Sequence, residues 1–173
     1  MLDPFDTLGI APALEIDLGE VEKRYRDLSR VLHPDRHVAG SPAERRISLG
    51  KAVEVNDAWR TIRDPIRRAE ALFRRRGVAV DERSGEKAAP EFLMEMMEQR
   101  EELAAARQKR DKAEIERLAA RIRGKEEAAL ARLTRGFSEL SGDALRSLVP
   151  ILGELRYYRR YLDEVSAIED ESS

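Results

Sequence analysis

Residues 18–59 read LGEVEKRYRDLSRVLHPDRHVAGSPAERRISLGKAVEVNDAW, two runs of helical period separated by a short stretch that breaks it. In the first run Leu18, Val21, Tyr25, Leu28 and Leu32 recur at spacings of three and four, which places them on one face and Lys23, Arg26 and Arg30 on another. Asp17 stands where a cap is needed. Pro34 disfavours helical geometry at His33 and cannot donate a backbone hydrogen bond, so this helix ends at about Leu32 or His33. A loop follows through Gly40. Ser41 before Pro42, with Glu44 three positions on, has the pattern of a capping box with proline at the first helical position. Leu49, Ala52, Val55, Trp59 and Ile62 then supply an apolar face. Two helices joined by a short loop predict an antiparallel hairpin with His33-Pro34-Asp35 at its tip.

Upstream, a short helical turn around Pro4 to Leu8 is stopped by Gly9. Downstream, Asp64-Pro65 breaks the chain and starts a fourth helix, Ile66 to Arg76, whose Ala69, Leu72 and Phe73 are expected to pack while its arginines stay in water; Gly77 ends it. Residues 78–89 contain Asp81, Ser84 and Gly85 and show no apolar period, the pattern of a linker. Beyond it three longer helices are expected, at about 90–107, 111–136 and 143–168. Ile115, Leu118, Ile122, Ala129 and Leu133 mark the second, and Leu145, Leu148, Leu152, Leu155, Leu162 and Val165 the third. Pro150 and Gly153 fall inside the third, where a proline costs about 3 kcal/mol, so a bend or a late helix start is expected there. The fold class is therefore all-α: a helical hairpin with short flanking helices over residues 1–77, a linker over 78–89, and an antiparallel three-helix bundle over 90–170.

Composition narrows function. Lys and Arg number 32 against 34 Asp and Glu, a net charge of -2, so no global field draws the chain to nucleic acid or to a membrane, and neither is an expected partner. Without cysteine there is no thiol nucleophile and no thiolate to hold zinc or an iron–sulfur cluster. No segment approaches the roughly 20 apolar residues of a bilayer span, and the opening MLDPFDTLGI lacks a basic stretch followed by an apolar run, so a cytoplasmic location is expected. No paired carboxylates, phosphate loop or metal cluster stands at an interpretable spacing. Catalytic residues, cofactor and metal are all expected to be absent.

Several readings of the tripeptide are open on the residues alone. A His-Pro pair after a helix can be a simple stop signal with Asp35 capping locally. His33, Asp35 and His37 alternate in the pattern of three loop ligands for a metal, and a His-Asp pair could serve a nucleophile for which no candidate is indicated. The hairpin context decides among them: the loop lies between a basic amphipathic helix and a helix bearing Asn56-Asp57-Ala58-Trp59, after a short first helix, and in this the sequence resembles a J-domain. The resemblance implies that the loop docks on a DnaK-type chaperone and stimulates its ATPase, with His33, Pro34 and Asp35 at the contact and Arg26, Arg30 and Arg36 meeting a negative surface.

The rest of the chain lacks the Gly/Phe-rich segment and cysteine repeats of general J-proteins. Its layout is similar to the HscB family, J-domain co-chaperones of iron–sulfur cluster assembly, over nearly the full length. The likeness rests on the early J-domain, Pro65 through Glu70-Ala71-Leu72, and Phe92-Leu93-Met94-Glu95 followed by Arg100-Glu101-Glu102-Leu103. It implies partnership with an HscA/DnaK-type chaperone and capture of an IscU-type scaffold protein by Leu93, Met94, Met97, Glu98 and Glu101 on the first bundle helix and Tyr157 on the last. The residues agree to this extent: Phe92, Leu93, Met94, Met96 and Met97 cover a wider arc than one buried stripe needs, so some should be exposed, although all five could be core. Tyr157, Tyr158 and Tyr161 pose the same choice, with core expected for at least one. The Arg and Glu residues from Gln99 to Arg123 are expected to form solvated faces and intrahelical pairs. The chain departs from the family at Met97, where leucine is usual, at Tyr157, where phenylalanine is usual, and at Pro150. A J-domain protein with another client, or a helical scaffold protein with an incidental tripeptide, are the competing functions.

Overall fold

The computed structural model describes residues 2–33, 41–80 and 89–171, which hold eight α-helices and no strand. The chain divides into two compact units, Met1–Gly77 and Val78–Ser173.

In the first unit, α1 (Pro4–Leu8) is capped by Asp3, whose carboxylate accepts from the amides of Phe5 at 2.8 Å and Asp6 at 3.3 Å. Gly9 closes it in the left-handed region at φ 63°, where a glycine carries no Cβ penalty. Phe5 and Leu8 are buried. The hairpin is α2 (Leu18–Val31) with α3 (Pro42–Arg63), capped as expected by Asp17 and by the reciprocal Ser41–Glu44 box. Tyr25 ties the two helices together: its ring stacks on Trp59 at 5.2 Å between centroids, and its hydroxyl donates to Asn56 Oδ1 at 2.8 Å. Helix α4 (Pro65–Arg75) begins at Pro65 rather than Ile66, with Asp64 accepting from the amides of Ile66 and Arg67.

Two expectations fail here. Leu49 is 56% exposed, and its neighbour Ser48 faces inward instead, in register with Val55 and Ile62. The serine is tolerated because its hydroxyl donates to the carbonyl of Leu32 at the end of α2, 3.2 Å away. Nor do all the arginines of α4 stay in water. Arg68 is buried, donating from Nε to Leu14 O at 2.7 Å and from Nη1 to Ile62 O at 2.6 Å, so its fork joins the α1–α2 connection to the end of α3.

Arg75 clamps α1 from the other side, with Nη1 2.7 Å from Asp3 and 3.0 Å from Asp6. Burial works to raise the Asp3 pKa, but Arg75 and the two amide donors outweigh it and leave the carboxyl below its ordinary value. A depressed folded-state pKa contributes stability that is complete above the carboxyl's ordinary range and is lost as pH falls through the lowered value. Acid denaturation of Asp3→Asn is therefore expected to be flatter through that window than that of the parent, with lower stability at neutral pH, when followed by circular dichroism. Parallel curves would show that Asp3 does not couple.

In the second unit, α5 (Pro90–Lys109), α6 (Lys112–Glu139) and α8 (Val149–Glu171) form the bundle, with α7 (Asp143–Arg146) as a one-turn connector. Contacts fix the directions. Phe92 meets Tyr157, the Tyr161 hydroxyl donates to Gln99 O at 3.2 Å, and Arg107 pairs with Glu171 at 2.6 Å, so α5 and α8 run parallel. Glu95 pairs with Lys125 and Glu102 with Arg121, which sets α6 antiparallel to α5; Arg132 with Glu154, beside the Gly136–Leu148 approach, does the same against α8. The charged residues between Gln99 and Arg123 thus include cross-helix pairs as well as local ones, and Gln99 is buried, accepting from Arg121 at 3.0 Å. Leu118, Ile122, Leu133, Leu152, Leu155 and Tyr161 fill the core.

The third bundle helix starts late, as one of the two expected outcomes. Pro150 lies in the first turn of α8, where the missing N–H has no intrahelical partner to lose. The connector packs tightly enough that a Cβ built on Gly136 of α6 would overlap Leu148 Cδ1. Gly136→Ala gains up to about 1 kcal/mol of helix propensity but overpacks this contact at a cost of about 1–3 kcal/mol. Net destabilisation is expected in urea unfolding; a stabilised variant would show that the connector yields freely.

Candidate functional site

Each unit carries one candidate surface. In the first, α2 ends at Leu32, the C-cap, whose amide donates to Leu28 O, and His33 follows immediately and is exposed. Pro34, Asp35 and Arg36, with His37 of the metal reading, lie outside the described residues. Arg26 and Arg30 are exposed one turn apart on α2, each beside an acid of the same helix: Arg26 is 3.8 Å from Glu22 and Arg30 3.4 Å from Asp27. Pairs this open to water are weak, so both guanidinium groups can exchange partners at little cost. The Ser48 hydroxyl on Leu32 O and the Ser41–Glu44 box hold the two helix ends from which the loop departs, and the Tyr25–Trp59 stack joins the helices farther from it. Among the described residues no group of three or more His, Asp or Glu is placed to hold a metal ion.

In the second unit, the five apolar residues at the start of α5 divide. Met96 is buried, Phe92 and Leu93 are half-buried, and Met94 and Met97 are each 63% exposed. Glu98 and Glu101 are exposed on the same helix. Tyr157 is half-buried and joins α8 to this region through an edge contact with Phe92, ring centroids 5.6 Å apart; Tyr158 packs on Phe92 at the same distance. Tyr158 and Tyr161 belong to the core, where burial first and neighbouring carboxylates second push each phenol up to about 12. They stay protonated at any physiological pH and offer no acid–base chemistry.

Two participants were not among the expected site residues. Phe92 supports both tyrosines, and the Arg160 guanidinium lies over the Tyr157 ring, 4.8 Å from its centroid. The second was readable in principle, because residues three apart are neighbours on a helix.

Family comparison adds to this geometry. A DnaJ domain model matches residues 3–71, and a model described as the HSCB C-terminal oligomerisation domain matches residues 88–166. The chain belongs to the HscB family. Among curated relatives, a co-chaperone protein HscB homolog of Ralstonia nicotianae is 40% identical over 103 residues, 60% of this chain and 58% of that protein. One of Bordetella petrii is 37% identical over 105 residues, 61% and 62% of the respective chains. The matched region thus spans less than two thirds of the length of these HscB homologs. Chaperone HscB from Vibrio cholerae superposes with a TM-score of 0.87 at 26% identity, covering 98% of this chain and 99% of its own. Human co-chaperone HscB shares the fold, with a TM-score of 0.85 at 24% identity over 96% of this chain and 82% of the human chain. The all-α expectation, with a J-domain preceding an HscB-type C-terminal domain, holds. Among the described residues no helix is long and apolar enough to cross a membrane.

Proposed function

We propose that this HscB-family chain is a non-enzymatic co-chaperone of iron–sulfur cluster biogenesis. Residues 1–77 stimulate the ATPase of an HscA/DnaK-type chaperone, residues 78–89 link, and residues 90–170 carry an IscU-type scaffold protein to it in the cytoplasm. The observation that carries this reading is the pairing of a DnaJ-matching unit with an HscB-type bundle whose Met94 and Met97 stand exposed beside Glu98 and Glu101. Large apolar side chains held out of the core on one helix, rimmed by acids, form the kind of surface a partner protein covers.

His33-Pro34-Asp35 with Arg26, Arg30 and Arg36 would favour one conformation of the chaperone. Binding one state better than another shifts its population, which is all that stimulation of a partner's ATPase requires. Leu93, Met94, Met97, Glu98, Glu101 and Tyr157 would hold the scaffold, placing it near the chaperone at an effective concentration on the order of millimolar. No residue of this chain reacts.

The test is the steady-state ATPase rate of an HscA-type chaperone titrated with the full chain, alone and with an IscU-type scaffold. Stimulation that the scaffold enhances is expected. Stimulation indifferent to the scaffold would point to a different client, and none with either HscA- or DnaK-type chaperones would refute the co-chaperone reading.

A further inference from the structure

Four arginines of the bundle, Arg100, Arg107, Arg121 and Arg132, each hold a carboxylate on another helix. Arg160 differs. It is exposed, its Nε donates to Arg156 O at 3.3 Å, and its guanidinium lies on the Tyr157 ring, with no ion pair among the described residues. An aromatic ring holds a guanidinium in place without neutralising it, leaving the fork preorganised for a carboxylate.

Its position relative to the apolar anchors follows from the helix register. Tyr157 lies beside Phe92 and Tyr161 beside Gln99, so Arg160 stands level with the turn of α5 that carries Met96 and Met97. At 100° per residue, Glu98, Met94, Glu101, Met97 and Leu93 succeed one another around α5 toward the side from which Arg100 and Arg107 reach Glu164 and Glu171 on α8, so the two acids flank Met94 and the strip of Met97 and Leu93 lies between them and α8. Glu98 and Glu101 also carry no ion pair among the described residues. The face therefore presents uncompensated negative charge on its α5 side, an apolar middle, and uncompensated positive charge on its α8 side.

We propose that Arg160 binds a carboxylate of the scaffold protein and so fixes which way round the scaffold sits, with its basic side chains against Glu98 and Glu101. This rests on the scaffold-binding reading above and adds a specificity residue to it. Opposed charges flanking an apolar contact reject the reversed orientation, in which like charges meet.

The test measures binding of an IscU-type scaffold to the full chain at low and high salt for the parent, Arg160→Gln, Arg160→Lys, Arg160→Glu and the Leu93→Ala/Met97→Ala pair, with melting curves confirming the fold of each. Arg160→Gln is expected to weaken binding roughly three- to tenfold at low salt and to flatten its salt dependence, Arg160→Glu to weaken it further, and Arg160→Lys to fall between parent and Gln. If Arg160 only props the ring, the three substitutions will weaken binding alike with unchanged salt dependence, which overturns the proposal. Binding lost in the Leu93/Met97 pair but intact in every Arg160 variant overturns Arg160 alone; a parent that does not bind scaffold overturns both readings.

Discussion

His33→Gln is expected to reduce stimulation of an HscA-type ATPase to the rate seen without added chain, while leaving the helical signal and melting curve of the protein unchanged. The two halves of that expectation have separate causes. His33 is exposed and lies one residue beyond the cap of α2, so it is not part of the core that Phe5, Leu8, Ile62 and Phe73 build, and exposed substitutions generally move stability by no more than about 0.5 kcal/mol. The hairpin is held elsewhere, by Tyr25 on Trp59 and Asn56, by the Ser41–Glu44 box and by Ser48 on Leu32 O. If the tip of that hairpin is the contact with the chaperone, the loss is that of a central interface residue, about 2 kcal/mol or more, which is roughly thirtyfold in affinity. Parent-like stimulation by His33→Gln would remove the loop from the mechanism.

The Leu93→Ala/Met97→Ala pair is expected to weaken scaffold binding by a comparable factor, on the order of thirtyfold or more, in isothermal titration. Met97 projects most of its side chain into solvent, and the burial on this helix is supplied by Met96, Gln99, Leu103 and Ala106. Truncating Met97 therefore costs the bundle little, and Leu93, half-buried, accounts for whatever stability is lost. A pair that binds scaffold like the parent would mean that these side chains are exposed for another reason. Stimulation of the chaperone without scaffold should be unaffected, since the substitutions leave residues 1–77 alone.

How much of this was legible in the sequence depends on how local each determinant is. Helix ends were readable where cap and proline are adjacent: Asp17, Ser41-Pro42-Glu44 and Asp64-Pro65 act within one turn of themselves, and the structure uses all three as caps. Facing was less so. Ser48 and Leu49 are neighbours 100° apart, and which of them turns inward depends on where the end of α2 offers a carbonyl, a fact no helical period contains. Arg68 reads as one more solvated arginine until Leu14 O and Ile62 O are brought within reach of it. Pro150 could have kinked a long helix; the separate turn of α7, with Leu145 buried in it, makes the same residue a helix start. On the candidate face, the excess of apolar residues around α5 was visible, but their division into buried Met96 and exposed Met94 and Met97 needed the registers of α6 and α8.

The central claim is that two surfaces on one chain act together, and it is tested most directly by mixing variants that each lack one surface. The ATPase rate of an HscA-type chaperone would be measured with a sub-saturating IscU-type scaffold and either the parent chain or an equal total amount of His33→Gln and Leu93→Ala/Met97→Ala together. Joined surfaces predict that the mixture falls far below the parent, because the chain that stimulates the chaperone no longer carries the scaffold and the chain that carries the scaffold no longer stimulates. A mixture as active as the parent would contradict the account, since stimulation and scaffold binding would then work equally well on separate molecules.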